Sequence, residues 1–145
     1  MSMDCTQIIN ELANFSAKRD DEGIVTVTID QADRKMNVID DNFNHSFAAL
    51  SDAFINDEPA KGLIITSGKD SFIAGADIDQ LANIQTHEQA FELVENLKSS
   101  MRQLEKCGKP IVAAMTGTAL GGGLEVALGC HYRLAIDAPT AKFGL

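Results

Sequence analysis

An α/β fold, in which buried parallel strands alternate with helices, is the fold class that this sequence predicts. Two apolar runs, "GLIITSG" and "PIVAAM", are short and bounded by glycine or proline, which is typical of strands covered on both faces. Before and between them lie two longer segments whose apolar residues recur at helical spacing. Because strands and helices alternate along the chain, the sheet is expected to be mainly parallel.

The first half of the chain predicts a hairpin, a helix and a strand. Two strands flank the turn "DDEG", and the second strand, residues 24–30, is rich in Val, Ile and Thr. A helix is expected from Asp40 to about Asn56, with an apolar face of residues three or four positions apart. These are Phe43, Phe47, Leu50 and Phe54. "GLIITSG" is then a buried strand, and "KDSFIAGADIDQL" is expected to leave it through a loop.

The second half predicts a long helix, a short helix and three more strands. Thr86 and Gln89 match a capping box that opens a helix through about Lys106, and Gly108 and Pro110 end it. "PIVAAM" is the next strand, and the glycine segment after it opens another helix. "HYRLAID" and "TAKFGL" are predicted as strands.

Composition indicates one globular domain of 145 residues, of which 45% are hydrophobic. A net charge of -9 argues against a general nucleic-acid surface. No apolar run approaches the roughly 18 residues of a membrane span, and the start of the chain lacks the pattern of a secretory signal, so a cytoplasmic location is expected. The cysteines lack paired spacings and the histidines lack partners at metal-ligand spacing, so we expect free thiols and no metal.

The stretch "GTALGGGLEV", residues 117–126, places three consecutive glycines and a glutamate where a strand passes into a helix. A phosphate-binding loop needs a lysine after the glycines, and a dinucleotide fingerprint needs a glycine where Val126 stands, so both are excluded. A helix N-terminus free of side chains can offer N–H groups to developing negative charge. With Gly122 near the N-cap, Glu125 falls at about N3, beside those donors. Helix capping by Glu125 is the alternative, and it stays open.

A second backbone-permissive loop is predicted in "DSFIAGADIDQL", where Gly75 lies between small residues at the exit of a strand. Binding crevices of α/β sheets lie at such strand ends. Two loops of this kind could supply one N–H group each to a single oxygen.

The pair "SFIAGADIDQL" and "KPIVAAMTGTALGGGLEVALGCHYRLA" resembles the crotonase, or enoyl-CoA hydratase/isomerase, superfamily. The likeness extends over nearly the whole chain. Within the superfamily, "GGGLEVALGCHYR" is most like the hydratase part of the alpha subunits of bacterial fatty-acid oxidation complexes. The resemblance implies a crotonase-like spiral of ββα units, of which residues 1–145 would be the N-terminal portion.

Addition of water to 2-enoyl-CoA thioesters in fatty-acid β-oxidation is the activity that the resemblance implies. The matching positions put the thioester oxygen between the N–H groups of Ala76 and Gly122, and they make Glu125 the first of two acid/base glutamates. The second glutamate of such hydratases follows a stretch of the type "FG-x-PE". The matching stretch here is "KFGL", which ends at Leu145, so this chain by itself is expected to hydrate poorly or not at all.

Coenzyme A is implied as part of the substrate, with no separate cofactor. The positions that the resemblance assigns to CoA or substrate contact are Lys35, Met36, Val38, Ala74, Gly75, Asp77, Ile78 and Gly121. Arg34 and Lys35 would meet phosphate groups or be solvated, and Asp77 would support the oxyanion loop or be a simple turn residue. The parent protein is expected to be a homotrimer or part of a multienzyme complex with a thiolase subunit.

Two alternatives to a hydratase stay open on the sequence. One is an enoyl-CoA isomerase of the same family, which applies if the second acid/base position is not acidic. The other is a non-catalytic module that binds CoA or a partner subunit without turnover.

Overall fold

A computed structural model describes residues 4–145. Helices and strands alternate along this part of the chain, as the sequence predicts. The helices are α1 (Cys5–Asn10), α2 (Asp41–Ile55), α3 (Ile78–Ala82), α4 (His87–Glu105) and α5 (Gly122–Leu128). The strands are β1 (Phe15–Arg19), β2 (Ile24–Ile29), β3 (Gly62–Ser67), β4 (Ile111–Met115), β5 (Ala119–Leu120), β6 (Tyr132–Ala135) and β7 (Phe143–Gly144).

The main sheet has five strands in the order β1-β2-β3-β4-β6. The predicted hairpin is confirmed, because β1 and β2 are antiparallel, and β2, β3, β4 and β6 run parallel to one another. Alternate residues of β2 and β4 are fully buried, and the residues between them are half-buried. The second face of these strands is therefore less completely covered than their apolar sequence predicts. β6 lies at the edge of the sheet and is exposed along its length.

A second layer is built from short extended segments, each of which follows one parallel strand of the main sheet. They are residues 37–39 after β2, residues 73–76 after β3, β5 after β4, and β7 after β6. Parallel bridges join Ile39 to Ala76 and Ile73 to Ala119, and β5 pairs in parallel with β7. A helix follows each of the first three segments, so the chain repeats a unit of strand, short strand and helix. The predicted spiral of ββα units is confirmed.

The predicted apolar face of α2 lies in the core, where Phe43, Phe47, Leu50 and Phe54 are each at most 1% exposed. Asp40 caps this helix by accepting a hydrogen bond from the N–H of Phe43 at 2.8 Å. The capping signal of α4 holds in part. Thr86 accepts from the N–H of Gln89, but the Gln89 side chain accepts from Gln85 rather than from Thr86.

Three short elements differ from the sequence-based expectation. α1 was not expected, β5 occupies part of the glycine segment, and α3 occupies part of the segment predicted as a loop. Elements of two to six residues are too short to show a hydrophobic period, which explains why the pattern did not predict them. The expectation about a secretory signal concerns a segment whose first three residues lie outside the described part. Within residues 4–145, no helix is long and apolar enough to cross a membrane.

Candidate functional site

The N–H group of Ala76 is directed away from its neighbouring segment and is unpaired. Ile39 donates its N–H to the carbonyl of Gly75 at 2.8 Å, and the carbonyl of Ile39 accepts the N–H of Asp77 at 3.0 Å. In a trans peptide the C=O and N–H groups point in opposite directions. Because the Gly75 carbonyl faces Ile39, the Ala76 N–H faces away from it, and it has no hydrogen-bond acceptor within residues 4–145.

The N–H group of Gly122 is oriented by the same principle. The carbonyl of Gly121, the N-cap of α5, accepts the N–H of Glu125 at 3.1 Å, so it points along the helix. The Gly122 N–H belongs to the same peptide and therefore points out of the helix start. No acceptor for it is found in the described part of the chain. The site thus holds two free N–H donors, each fixed by the hydrogen bond of its own peptide carbonyl.

The two donor peptides lie side by side because the glycines before them are in contact. Gly75 has a φ of +101° and Gly121 a φ of +52°, conformations that side-chain-bearing residues rarely adopt. A Cβ atom placed on Gly75 would lie 3.1 Å from the carbonyl oxygen of Leu120, and one on Gly121 would lie 3.9 Å from the Cα of Gly75. The close approach of the two loops therefore depends on glycine at these positions.

Glu125 stands beside this pair of donors. Its Oε2 atom lies 3.9 Å from the place where a Cβ on Gly122 would be. Since Gly121 is the N-cap, Glu125 is at N4 rather than at the predicted N3, and its own N–H already bonds within the helix. Its carboxylate is exposed and accepts no hydrogen bond from residues 4–145, so the capping alternative is wrong. The positive end of the helix dipole favours this negative charge.

Lys35 and Met36 are exposed and line a groove of about 760 Å³ at the carboxyl ends of the parallel strands. Residues 69–71, residues 116–118 and four residues between 136 and 141 form the rest of its lining. The groove is not lined by Ala76, Gly122 or Glu125. The structure therefore brings together the proposed donors and the glutamate, and it places Lys35 and Met36 in a groove that is lined by other residues.

Other predicted contact residues lie in or directly after the loop of residues 72–77 (the Ala76 loop). Ala74 donates its N–H to the carbonyl of Asn37 at 2.8 Å. Asp77 caps α3 by accepting the N–H of Asp79 at 3.1 Å, a bond that fits both of the roles considered for it. Ile78 follows as the first residue of α3 and is 79% exposed.

Arg34 is tied to this loop rather than left free for phosphate. Its guanidinium donates to the carboxylates of Asp77 at 2.9 Å and Asp40 at 3.4 Å. Lys69, which the sequence did not single out, pairs with Asp30 and donates to the carbonyls of two residues in the Arg34 segment. Lys35 has no ion-pair partner in the part that the structure describes.

His131 has a structural role, as predicted, because both ring nitrogens bond to backbone. Nδ1 accepts the N–H of Ile111 at 2.9 Å, so the ring hydrogen lies on Nε2 and bonds to the carbonyl of Glu105 at 2.9 Å.

Burial raises the pKa of the Cys5 and Cys130 thiols to about 12. The cysteines are free, as predicted.

One group of possible metal ligands, Asp4, Cys5 and Asp57, exists among residues 4–145. Arg19 pairs with both carboxylates, at 2.7 Å and 3.3 Å. The buried thiol of Cys5 is also held protonated by its raised pKa. The cluster is thus built as an ion pair around a guanidinium.

Residues that reach the site through long-range contacts were missed by the sequence analysis. Ile39 lies against α5, since its Cδ1 atom is 2.8 Å from the place of a Cβ on Gly122. The side-chain amide of Gln31 brackets the backbone of Val38, at 2.7 Å and 2.9 Å. Asn37 bonds to partners up to 35 residues away. The contacts of Ile39 with Gly122 and of Asn37 with Phe72 join segments distant in sequence, so no local pattern indicates them.

The family described as enoyl-CoA hydratase/isomerase matches residues 19–145 of this chain. Among curated proteins, the fatty acid oxidation complex subunit alpha of Shewanella frigidimarina is 39% identical over 132 residues. The protein of the same name from Aliivibrio fischeri is 42% identical over 134 residues. Both matches cover 90% of this chain and 19% of the relative, so the chain spans about a fifth of the length of these proteins.

Solved structures show the same fold. An enoyl-CoA hydratase from Bacillus anthracis superposes with a TM-score of 0.79 at 26% identity, covering 90% of this chain and 49% of that one. An enoyl-CoA hydratase/carnithine racemase from Magnetospirillum magneticum gives a TM-score of 0.81 at 27% identity, covering 92% of this chain and 49% of that one. The chain therefore spans about half of each of these structures.

Proposed function

Because this chain belongs to the enoyl-CoA hydratase/isomerase family, we propose that it carries the N-terminal part of a site that adds water to 2-enoyl-CoA thioesters in fatty-acid β-oxidation. The observation that supports this most directly is the pair of neighbouring peptides 75–76 and 121–122. Each presents an unpaired N–H while its carbonyl is already bonded. Two fixed donors beside a carboxylate suit a reaction in which negative charge develops on one oxygen.

The proposed chemistry uses the residues as follows. The thioester oxygen accepts hydrogen bonds from the N–H groups of Ala76 and Gly122. As the water oxygen bonds to the β-carbon, the Glu125 carboxylate takes a proton from the water and the π electrons move onto the thioester oxygen. The enolate then collapses as the α-carbon receives a proton from the Glu125 carboxyl group. Acid/base help of this kind contributes roughly a hundred- to ten-thousandfold to the rate.

The CoA part of the substrate is proposed to lie along the segment of Lys35, Met36 and Val38 and the loop from Ala74 to Ile78. Gly75 and Gly121 would let the thioester approach the backbone closely, since neither has a side chain. Coenzyme A enters as substrate, and no further cofactor is proposed. We further propose that the protein acts in the cytoplasm, within a homotrimer or a complex with a thiolase subunit. The names of the curated relatives, subunits of fatty acid oxidation complexes, support the proposal of a complex.

Calorimetric titration of the chain with butyryl-CoA tests the proposal with two variants at one position. Gly122→Pro deletes one donor, and Gly122 is at the first position of α5, where proline is well tolerated. Gly122→Ala is the matched control, because it keeps the N–H and adds the same Cβ against the end of the Ile39 side chain. We expect Gly122→Ala to keep binding and Gly122→Pro to lose roughly fivefold in affinity, the value of one neutral hydrogen bond.

Circular dichroism melting shows whether each variant is folded. If both variants fold and lose affinity equally, the Cβ rather than the N–H matters, and the oxyanion assignment of Gly122 is wrong. If the folded wild-type chain binds no acyl-CoA, the 145 residues do not hold a working site, and hydratase activity cannot be assigned to them.

Isomerisation of the double bond is the second candidate. The exposed Glu125 carboxylate, which has no hydrogen-bond partner within residues 4–145, supports it. One carboxylate can move a proton between two carbons of one substrate, and this reaction needs no second acid/base group to hold a water. NMR of the product separates the two reactions, because hydration yields a hydroxyl-bearing β-carbon and isomerisation yields only a shifted double bond.

A further inference from the structure

We infer that Asn37 is a positioning residue for the Ala76 donor. The inference deepens the proposed function and rests on it, since it concerns how the chain fixes one of the two N–H groups offered to the thioester. Asn37 lies two residues before Ile39 and outside every helix and strand of the main sheet.

The side-chain amide of Asn37 is completely buried and fully bonded. Three acceptors surround its Nδ2 atom, the carbonyl of Ile29 at 3.0 Å, Oγ of Ser67 at 2.9 Å and the carbonyl of Phe72 at 3.1 Å, so one of its two hydrogens is shared between two of them. Its Oδ1 atom accepts the N–H of Gln31 at 3.0 Å. The amide therefore joins the ends of β2 and β3 to the first residues of the Ala76 loop.

The backbone of Asn37 also forms a hydrogen bond to the Ala76 loop. Its carbonyl accepts the N–H of Ala74 at 2.8 Å, while its side chain holds the carbonyl of Phe72. Two residues later, Ile39 bonds to the carbonyl of Gly75 and so turns the Ala76 N–H outward. Residues 37–39 thus hold the Ala76 loop in place through hydrogen bonds, and Asn37 attaches this segment and the loop to the main sheet.

An asparagine amide matches its surroundings here, because it offers donors on one side and an acceptor on the other. Carbonyl and hydroxyl oxygens approach from one side and require N–H donors, while the Gln31 N–H requires an acceptor on the other side. A carboxylate at this position would place oxygen against oxygen, and buried polar groups would lose their partners. The loop carbonyl of Phe72 would then be released from the sheet.

The test compares Asn37→Asp with Asn44→Asp in the 145-residue chain. Asn44 is also buried, on α2, and its amide donates to Leu93 of α4 rather than to the loop. Each variant removes a buried amide donor with almost no change of shape. The readouts are the ¹H–¹⁵N resonances of Ala76 and Gly122, the affinity for butyryl-CoA, and the melting temperature.

We expect Asn37→Asp to shift or broaden the Ala76 resonance while leaving Gly122 less affected, and to weaken butyryl-CoA binding about fivefold. Asn44→Asp is expected to leave the Ala76 resonance unmoved, even if the melting temperature of this variant falls. If Asn37→Asp does not fold, Asn37→Ser, which introduces no charge and keeps a short hydroxyl donor, takes its place.

An unmoved Ala76 resonance in the Asn37 variant, or an equal shift in the Asn44 variant, overturns the inference. The resonance decides it independently of catalysis. A chain that shows the Ala76 shift but whose wild type binds no acyl-CoA would support Asn37 as the positioning residue and count against the proposed function alone.

Discussion

Replacement of Gly123 by alanine tests how closely α5 packs on the second layer. Gly123 is buried at the second position of α5, and an added Cβ would lie 2.1 Å from the carbonyl oxygen of Ile73. Ordinary contact begins at 3.4 Å, so α5 and the extended segment of residues 73–76 would have to separate by about 1.3 Å. The two nearest atoms, the carbonyl oxygen and carbon of Ile73, belong to the backbone and cannot rotate away as the end of a side chain would.

The expected effect follows from two opposing contributions. Alanine in place of glycine favours a helix by about 1 kcal/mol. Overpacking a filled interior costs about 1–3 kcal/mol, and a clash with backbone belongs at or above the upper end. We therefore expect Gly123→Ala to lower the free energy of unfolding by about 2 kcal/mol, which is roughly 1 M in urea midpoint for a protein of this size.

Urea unfolding followed by circular dichroism measures this difference. Gly144→Ala is the control, because a Cβ there would meet nothing within 4 Å, and its midpoint is expected to stay close to that of the wild type. A Gly123→Ala protein as stable as the wild type would refute the close packing of α5 on Ile73.

Two further predictions concern residues outside the site. His131→Ala leaves the N–H of buried Ile111 without its acceptor, so we expect a loss of about 1–3 kcal/mol in urea unfolding, and an unchanged midpoint would contradict the bonding of the ring. Because burial raises the pKa of Cys5 and Cys130 to about 12, both stay protonated at pH 8 and are shielded, whereas Cys107 is partly exposed. Iodoacetamide at pH 8 should alkylate Cys107 alone in the folded chain, as mass spectrometry of peptides would show, and early labelling of either buried thiol would contradict this.

Much of the fold could be predicted because its signals are local. The spacing of Phe43, Phe47 and Phe54 follows the helical period, and that face of α2 is buried as expected. The hairpin and the buried strands follow from β-branched runs between turn residues. The glycine run and Glu125 indicated the start of α5, although the N-cap proved to be Gly121 and moved the glutamate by one position.

Parts of the site could also be predicted, since each of its two loops has its own motif. Gly75 and Gly121, the residues before the two proposed donors, approach each other closely, as a shared oxyanion site requires. Lys35 and Met36 were assigned to the same substrate, and they line a groove whose lining does not include the donors. Arg34 was considered for phosphate, and it is paired with Asp77 and Asp40 instead.

The sequence by itself determined the order of the longer strands and helices, the family, and the positions where backbone without side chains meets a carboxylate. These depend on residue type and on spacing within one segment. Only the tertiary structure decided which N–H groups are unpaired and where they point, because a peptide is oriented by the partner of its carbonyl. For Ala76 that partner is Ile39, and the anchor behind it is Asn37, both more than thirty residues away along the chain.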